Sequence, residues 1–579
     1  MTGRLLRGSA VLLFLAAFAF PLWGELFYPD DPELLALVHI SHRMKKTLPF
    51  STFPVHGSDI LGFADKLLAS AAADSLNDAD HAILEDLVHK LEKQRQGEIA
   101  IKGGLAASYE HRFSTRDFSI EDEELPNAED VRRVFLNFSP VLSLSAAGGT
   151  FNGIWLASCI DLRPSWEDDF FPMNNFFTKV NITYDFVNKG VLAWNGNYIN
   201  LSLGRDMVHW GNPKGATLYP SKLLPHMDNL SMNIPLGPLT FDYMLASIMP
   251  KRSHFRDVDN AIQQNYPLTA PDTSLGEDPL GPHFGFMKDP FSNNPSIIMM
   301  ASHRLQWNFG RVKIGAGGTI VYARANNQFL FTDFLPLIIY HNSDSVPNNL
   351  ALVVDAQWTI APGLNLSVMA GFDDIAGSAI GIPDGEIPTI PGAILQLEYS
   401  MARPKIFQSY MFEAGYTHYL WGNFAYDDKP DSWYGVYLAR AIYRYTPNKS
   451  AILLPLTSPY GPGSLWGKLN ADLLFPALNI HAGAEFLFLA KNSEVNLIDP
   501  RYETNNGYEG FNRFFFILDL PCSYTWRWFD FYITPTIFWG SGGAAFECTL
   551  GVRFSMEGKR FFSSNGKYFS QRHGDTEKN

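Results

Sequence analysis

The chain has 579 residues, a formal net charge of −14, 46% hydrophobic and 14% aromatic residues, and a mean hydropathy of −0.07. The acidic balance excludes a nucleic-acid binder, which needs a basic stripe, and the neutral hydropathy excludes a helical membrane protein. A barrel combines many aromatics with neutral hydropathy, because lipid-facing residues alternate with polar lumen-facing ones.

The chain opens with Arg4 and Arg7, followed by the apolar stretch 9–23. That is a signal-peptide pattern, too short for a membrane span, and it predicts cleavage near Gly24 (segment 1–24). No cysteine follows it, so a lipid anchor is not expected. No later segment reads as a transmembrane helix, so any spanning structure must be built of strands.

Residues 25–99 read as a small periplasmic helical segment. Asp31-Pro32-Glu33 leads into Leu34, Leu35, Leu37 and Val38. Ser58 or Asp59 is placed to cap a second helix, and Asn77 or Asp78 a third. The apolar residues of each recur at the 3.6-residue period, which predicts two or three helices packed against the barrel or each other.

From about residue 100 to 556 the period becomes two. Val180, Ile182, Tyr184 and Phe186 alternate with polar residues, as do Leu364, Leu366, Val368 and Ala370. Leu478 to Phe488 and Phe546 to Met556 repeat the pattern. Runs of this length suit tilted strands that cross a bilayer with one face in lipid. Short connections (Gly237-Pro238, Gly310-Arg311, Pro362-Gly363, Pro476-Ala477) mostly alternate with long ones (114–130, 164–175, 206–226, 250–297, 323–349, 373–392, 491–511). That asymmetry predicts an all-β transmembrane barrel with tight periplasmic turns and long outer loops. The candidates number 19 or 20, depending on 450–456. An even count is required, so 18 or 20 antiparallel strands are expected. Thr549-x-Gly551-x-x-Phe554-x-Met556 looks like the terminal-strand signal read by the barrel-assembly machinery. Residues 557–579 form a polar C-terminal tail that departs from that pattern.

No nucleophile elbow, zinc-protease or phosphate-loop motif is present. Cys159, Cys522 and Cys548 lack metal-site spacing and read as small strand residues, although one long-range disulfide is compatible with them. Asp373-Asp374 reads as a water-facing strand end rather than an acid/base pair. No enzyme, metal or cofactor is expected.

The most distinctive stretch is Leu203-Gly204-Arg205-Asp206-Met207-Val208-His209-Trp210-Gly211-Asn212-Pro213, followed by Asp228 and the Pro235-Leu236-Gly237-Pro238-Leu239 turn. His303-Arg304-Leu305 then precedes Trp307, and Phe334-Leu335-Pro336-Leu337 precedes Asn348-Asn349 and Asp355. In order and spacing these segments resemble the capsule-assembly (Wzi-type) family of outer-membrane proteins. The resemblance implies 18 strands, a helical region in the periplasm and a role in holding surface polysaccharide in the manner of a lectin. It marks Arg205, His209, Trp210, Gly211, Asp228, His303, Arg304 and Asp355 as glycan-contact or lumen-plug residues. For Arg205, Trp210 and Gly211 a structural role is the alternative: a lumen arginine held by carboxylates and a tryptophan packed in a plugging loop. Loop aromatics Trp166, Phe170, Phe171, Tyr219, Tyr340, Tyr426, Trp433, Tyr502 and Tyr508 could stack on sugars or form the interfacial girdle. Expected partners are outer-membrane lipid, the barrel-assembly machinery and surface polysaccharide, with the chain a monomer. Two rival functions remain: a channel for small solutes, which needs an open lumen, and a barrel enzyme, which needs a nucleophile–base pair at a strand end.

Overall fold

A computed structural model describes residues 26–70, 76–96, 99–114, 142–150, 154–164, 175–177, 182–196, 198–222, 224, 226–247, 297–324, 348–373, 389–403, 406–422, 425–426, 434–435, 439–443, 451–475, 478–492, 510–541, 543–562 and 568–571. Residues 1–24, expected to be a signal peptide, most of the long connections and Trp166, Phe170, Phe171, Tyr340, Trp433, Tyr502 and Tyr508 lie outside the described residues.

Eighteen antiparallel strands close into one barrel. In chain order they are β1 (Ile99–Ser114), β2 (Leu142–Thr150), β3 (Ile154–Pro164), β4 (Ile182–Asn195), β5 (Asn200–Asp206) and β6 (Met227–Leu236). They continue as β7 (Leu239–Ser247), β8 (Ile297–Asn308), β9 (Val312–Arg324), β10 (Asn348–Ala361), β11 (Leu364–Phe372) and β12 (Pro391–Arg403). The last are β13 (Ile406–Thr417), β14 (Ser464–Phe475), β15 (Ile480–Lys491), β16 (Arg513–Asp519 and Cys522–Trp526), β17 (Phe529–Gly540) and β18 (Gly543–Phe562). β16 is broken at Leu520-Pro521, where proline has no N–H to offer a ladder. The Pro521 carbonyl still accepts from Gly483 N–H at 2.7 Å. The barrel closes where β18 pairs with β1, from Glu547 opposite Ser114 to Phe562 opposite Ile99.

Two sequence expectations shift. The strand candidate at 450–456 forms a separate hairpin, with Ala451–Pro455 paired to Ala439–Tyr443 outside the barrel sheet. The final strand runs past Met556 to Phe562, since Glu557–Phe562 still finds partners on β1, and Tyr568–Gln571 pairs back onto it.

Alternation sorts every strand into two faces, and a one-residue slip would exchange them. Leu305, Trp307, Ile314, Trp358, Phe372, Phe412, Trp539 and Phe546 are exposed on the outer wall. Arg304, Gln306, Lys313, Gln357, Gln396, Glu398 and Glu413 point into the lumen and are buried. An apolar outside with a polar inside is the inverse of a soluble protein and suits a wall in lipid.

Among the described residues three helices precede the barrel: α1 (Pro32–Arg43), α2 (Gly57–Leu68) and α3 (Asp78–Gln96). Their apolar faces meet in a core of Leu34, Leu37, Ile40, Ile60, Leu84 and Leu91. Asn77 caps α3, accepting from Asp80 N–H at 2.9 Å. The start of α2 lies earlier than expected, with His56 in the cap position. Ser58 and Asp59 are drawn to the barrel instead: Ser58 accepts from Asn195, and Asp59 accepts from Asn200 Nδ2 at 3.0 Å. Asp31 does not cap α1 with its side chain, because its carboxylate accepts from Tyr28 N–H at 2.6 Å. The segment before α3 seats in the end of the barrel that carries the short turns. Thr47 N–H donates to the Gly310 carbonyl at 2.7 Å and Gly363 N–H to the His42 carbonyl at 2.9 Å.

Candidate functional site

The connection between β5 and β6, residues 207–226, folds into the lumen. Gly211 makes this possible with φ +120°, a conformation that L side chains rarely adopt. Its N–H donates to the Ser51 carbonyl at 2.6 Å, and His209 and Trp210 pair antiparallel with Phe53 and Thr52. Loop and N-terminal segment are therefore stitched together inside the barrel. Trp210 is buried, and its carbonyl accepts from Thr217 Oγ1 at 2.6 Å. His209 is also buried; its Nε2 donates to the Asn212 carbonyl (2.7 Å) and its Nδ1 accepts from Lys222 N–H (3.3 Å). Burial pushes the His209 imidazole down to about 4, which matches the neutral tautomer these two bonds require.

The tip of the loop meets the lumen wall at Arg304, a guanidinium with 0% exposure. Asp355 receives it as a fork, Nε to Oδ1 at 3.1 Å and Nη2 to Oδ2 at 2.7 Å. Nη1 donates to Gln306 Oε1 at 2.6 Å. From the loop, Tyr219 donates to the Val353 carbonyl (3.0 Å) with Asp355 Oδ1 at 3.2 Å, and its ring lies 5.8 Å from the guanidinium. A buried charge persists where it is paired and hydrogen-bonded, and here each of the three guanidinium nitrogens donates a bond. The fork also pins β8 to β10 across β9, where Gly315 leaves the space that Arg304 occupies.

A second junction joins all three parts. Glu398 on β12 is buried beside His39 Nδ1 (3.4 Å) and His42 Nδ1 (3.7 Å) of α1 and Lys214 Nζ (3.7 Å) of the loop. Burial holds the His39 imidazole well down and takes His42 to about 3, so both face the carboxylate as neutral rings and Lys214 supplies the positive charge. Nearby, Glu413 accepts from Ala216 N–H (2.7 Å) and Trp466 Nε1 (2.9 Å). Lys313 donates to the carbonyls of Leu48 and Phe50, both at 3.0 Å. A cavity of about 20 Å³ remains between Gly211, Asn212, Asp355, Met369 and Gln396, room for roughly one water.

The lumen is not filled evenly. Along β14–β18 the lumen-facing side chains near the short-turn end are water-exposed. His481 pairs with Asp472 at 3.4 Å and Lys468 with Glu485 at 3.7 Å. Thr525 donates to Asp530 at 2.7 Å, and Arg553 lies 6.0 Å from the Tyr532 ring. Small residues, among them Gly104, Ala106, Ser143 and Ser145, line the adjoining lumen face of β1 and β2.

Of the eight residues marked from sequence, His209, Trp210, Gly211, Arg304 and Asp355 come together in or against the plug. Arg205 and Asp228 do pair, Nε to Oδ1 at 2.7 Å, but not in the lumen. Arg205 shares the parity of Leu201 and Leu203, so the pair lies on the outer wall at the long-loop end, while Gly204 and Asp206 face inward. His303 stands on the opposite face of β8 from Arg304, beside Tyr243, and is buried. Tyr219, expected on a loop surface, is instead fully buried at the Arg304 network. None of the three cysteines forms a disulfide. Sequence reasoning missed Lys214, Lys313, Glu398 and Glu413. Charges at the lumen parity of apolar-alternating strands were the available signal for the last three. No group of three or more metal-ligating side chains occurs among the described residues.

No protein-family model matches the chain, and no curated protein matches it. Among solved structures it is similar to Wzi of Escherichia coli, described as an outer-membrane protein involved in group 1 capsule assembly and a carbohydrate-binding β-barrel. The likeness has a TM-score of 0.54 and 12% identity and covers 91% of this chain and 99% of that one. The Pseudomonas aeruginosa barrel OccK9 (OpdG) also aligns, at TM-score 0.38 and 12% identity over 79% of this chain and 98% of that one, too loosely to carry an argument. The chain thus has the fold of an outer-membrane β-barrel and shares its overall layout with the Wzi barrel.

Proposed function

We propose that this protein is a non-enzymatic barrel of the outer membrane that binds surface polysaccharide and keeps it on the cell. The observation that carries the reading is the inward loop. A barrel built to pass solutes keeps its lumen clear, whereas here residues 207–226 are locked across it by the buried Arg304–Asp355–Tyr219 network. The shared layout with a carbohydrate-binding barrel supports the same reading. In this reading the short turns and helices face the periplasm, the long connections face outward, and the glycan is bound without being transformed. The exported chain reaches the membrane through the barrel-assembly machinery and acts as a monomer.

The test is deletion of the gene in its host, followed by measurement of cell-attached and released surface polysaccharide. Anchoring predicts a shift from attached to released with total synthesis unchanged, restored by the wild-type gene. An unchanged ratio rejects it. The solvated side of the lumen along β14–β18 favours one second reading, a channel for small solutes. Stepwise conductance of the purified wild-type barrel in a planar bilayer would select that reading.

A further inference from the structure

The solvated strip on β14–β18 changes character along its length. Nearest the short-turn end it carries His481, Asp472, Tyr532, Asp530 and Arg553, side chains in contact with water. One step further along the wall stand Asp519 and Thr536, hydrogen-bonded to each other and buried. Toward the long-loop end the same face carries an apolar tier, Leu487 and Leu489 on β15, Phe515 and Ile517 on β16, Phe538 on β17 and Ala545 on β18, with Lys468 of β14 opposite Leu487 and with Lys491 and Arg513 at its outer edge. All six apolar residues are buried, although they share parity with the polar residues below them and not with the lipid-facing Phe514, Phe516, Trp539 and Phe546. The Phe515 and Phe538 rings lie 6.0 Å apart. Apolar residues at lumen positions of a membrane barrel gain nothing from lipid, so their burial there reflects packing against each other and the lumen contents.

We propose that this tier is a hydrophobic seal: it closes the side of the lumen that the inward loop leaves wet, and makes the solvated strip a blind vestibule reached from the short-turn end. Water entering past Arg553 and His481 meets a dry layer, and ions do not cross a constriction that excludes their hydration water. The barrel is therefore shut by two devices of different chemistry. The loop side is shut by a hydrogen-bonded ionic network, and the opposite side by apolar packing.

The seal is independent of glycan binding and is tested on the full chain in planar bilayers. Wild type is expected to be silent. Ile517→Ser with Phe538→Ser is expected to give conductance steps, while Phe516→Ser, facing lipid one residue away, stays silent. Heat-modifiable gel migration confirms that each variant is folded. A second measurement leaves the tier nearly intact. In a background with Cys159, Cys522 and Cys548 replaced by serine, Thr534→Cys is expected to react with a membrane-impermeant thiol reagent and Ile517→Cys at least tenfold more slowly. Conductance by wild type, a silent folded double variant, or equal labelling of the two cysteines would each overturn the seal.

Discussion

The two sides of the lumen solve one problem with opposite means. Across β8–β13, charged and amide side chains are buried against the inward loop and the N-terminal segment, and three of the junctions are held by directed bonds: Arg304 with Asp355, Lys313 with two carbonyls, Glu413 with a backbone N–H and an indole. Along β14–β18 the charges near the short-turn end are open to water, and most of what is buried further along the wall is apolar. Buried polar groups are costly when a partner is lost, and solvated ones are not. Substitutions should therefore be felt very differently on the two sides.

The largest expected effect is at Arg304. Arg304→Ala leaves Asp355 buried without its counter-charge and should lower stability by about 3–5 kcal/mol, read as a fall in the guanidinium unfolding midpoint of the detergent-solubilised barrel. A loss no greater than that of an outer-wall substitution would break the comparison. Next comes pH. Burial depresses the His42 imidazole to about 3 and those of His56 and His209 to about 4, below their ordinary 6.5. In the unfolded chain each takes a proton near 6.5 that the folded plug resists, so their contribution is present above pH 6.5 and is lost as pH falls toward 4. Each such histidine steepens the fall by roughly 1.4 kcal/mol per pH unit while it is differentially protonated. The unfolding midpoint should drop between pH 7 and 4.5, and His42→Gln should flatten part of that drop; a flat wild-type profile rejects the neutral-histidine plug. Tyr219→Phe removes the bond to the Val353 carbonyl and should cost about 1–3 kcal/mol with the barrel still closed. The smallest effect belongs to the wet side: His481→Ala should change stability by about 0.5 kcal/mol or less. A cost there as large as that of Tyr219→Phe would mean that the strip is not solvated.

The alternation was legible in the sequence because lipid and lumen impose opposite demands on neighbouring residues, and strand boundaries followed from short turns such as Gly237-Pro238 and Pro362-Gly363. Arg304 and Asp355 could be marked but not joined, since their pairing depends on β9 lying between their strands. A lumen place is one of the two expectations for Arg205, and it rests on the rule that buried arginines seek carboxylates. Its parity with Leu201 and Leu203 already pointed outward, and the carboxylate it finds, Asp228, stands on the same outer wall. Local chemistry alone places Ser58 or Asp59 as a helix cap; barrel asparagines 137 and 141 residues away compete for them. The apolar tier is not legible in the sequence because Phe514–Leu518 reads as a continuous apolar run, in which lumen and lipid positions are not told apart by hydrophobicity.

The seam between β18 and β1 bears on how the molecule assembles. It joins Phe562 to Ile99, the most distant pairing in the wall, so nearly the whole chain must be gathered before its hydrogen bonds can form. The helices and the segment that lines the lumen are covalently attached just ahead of β1. A cylinder that zipped shut first would leave its own N-terminal filling outside, with the carbonyls of Leu48, Phe50 and Ser51 separated from Lys313 and Gly211. Closure is expected to come late, with the contents already aboard, and the seam is where a slow final kinetic phase should be sought.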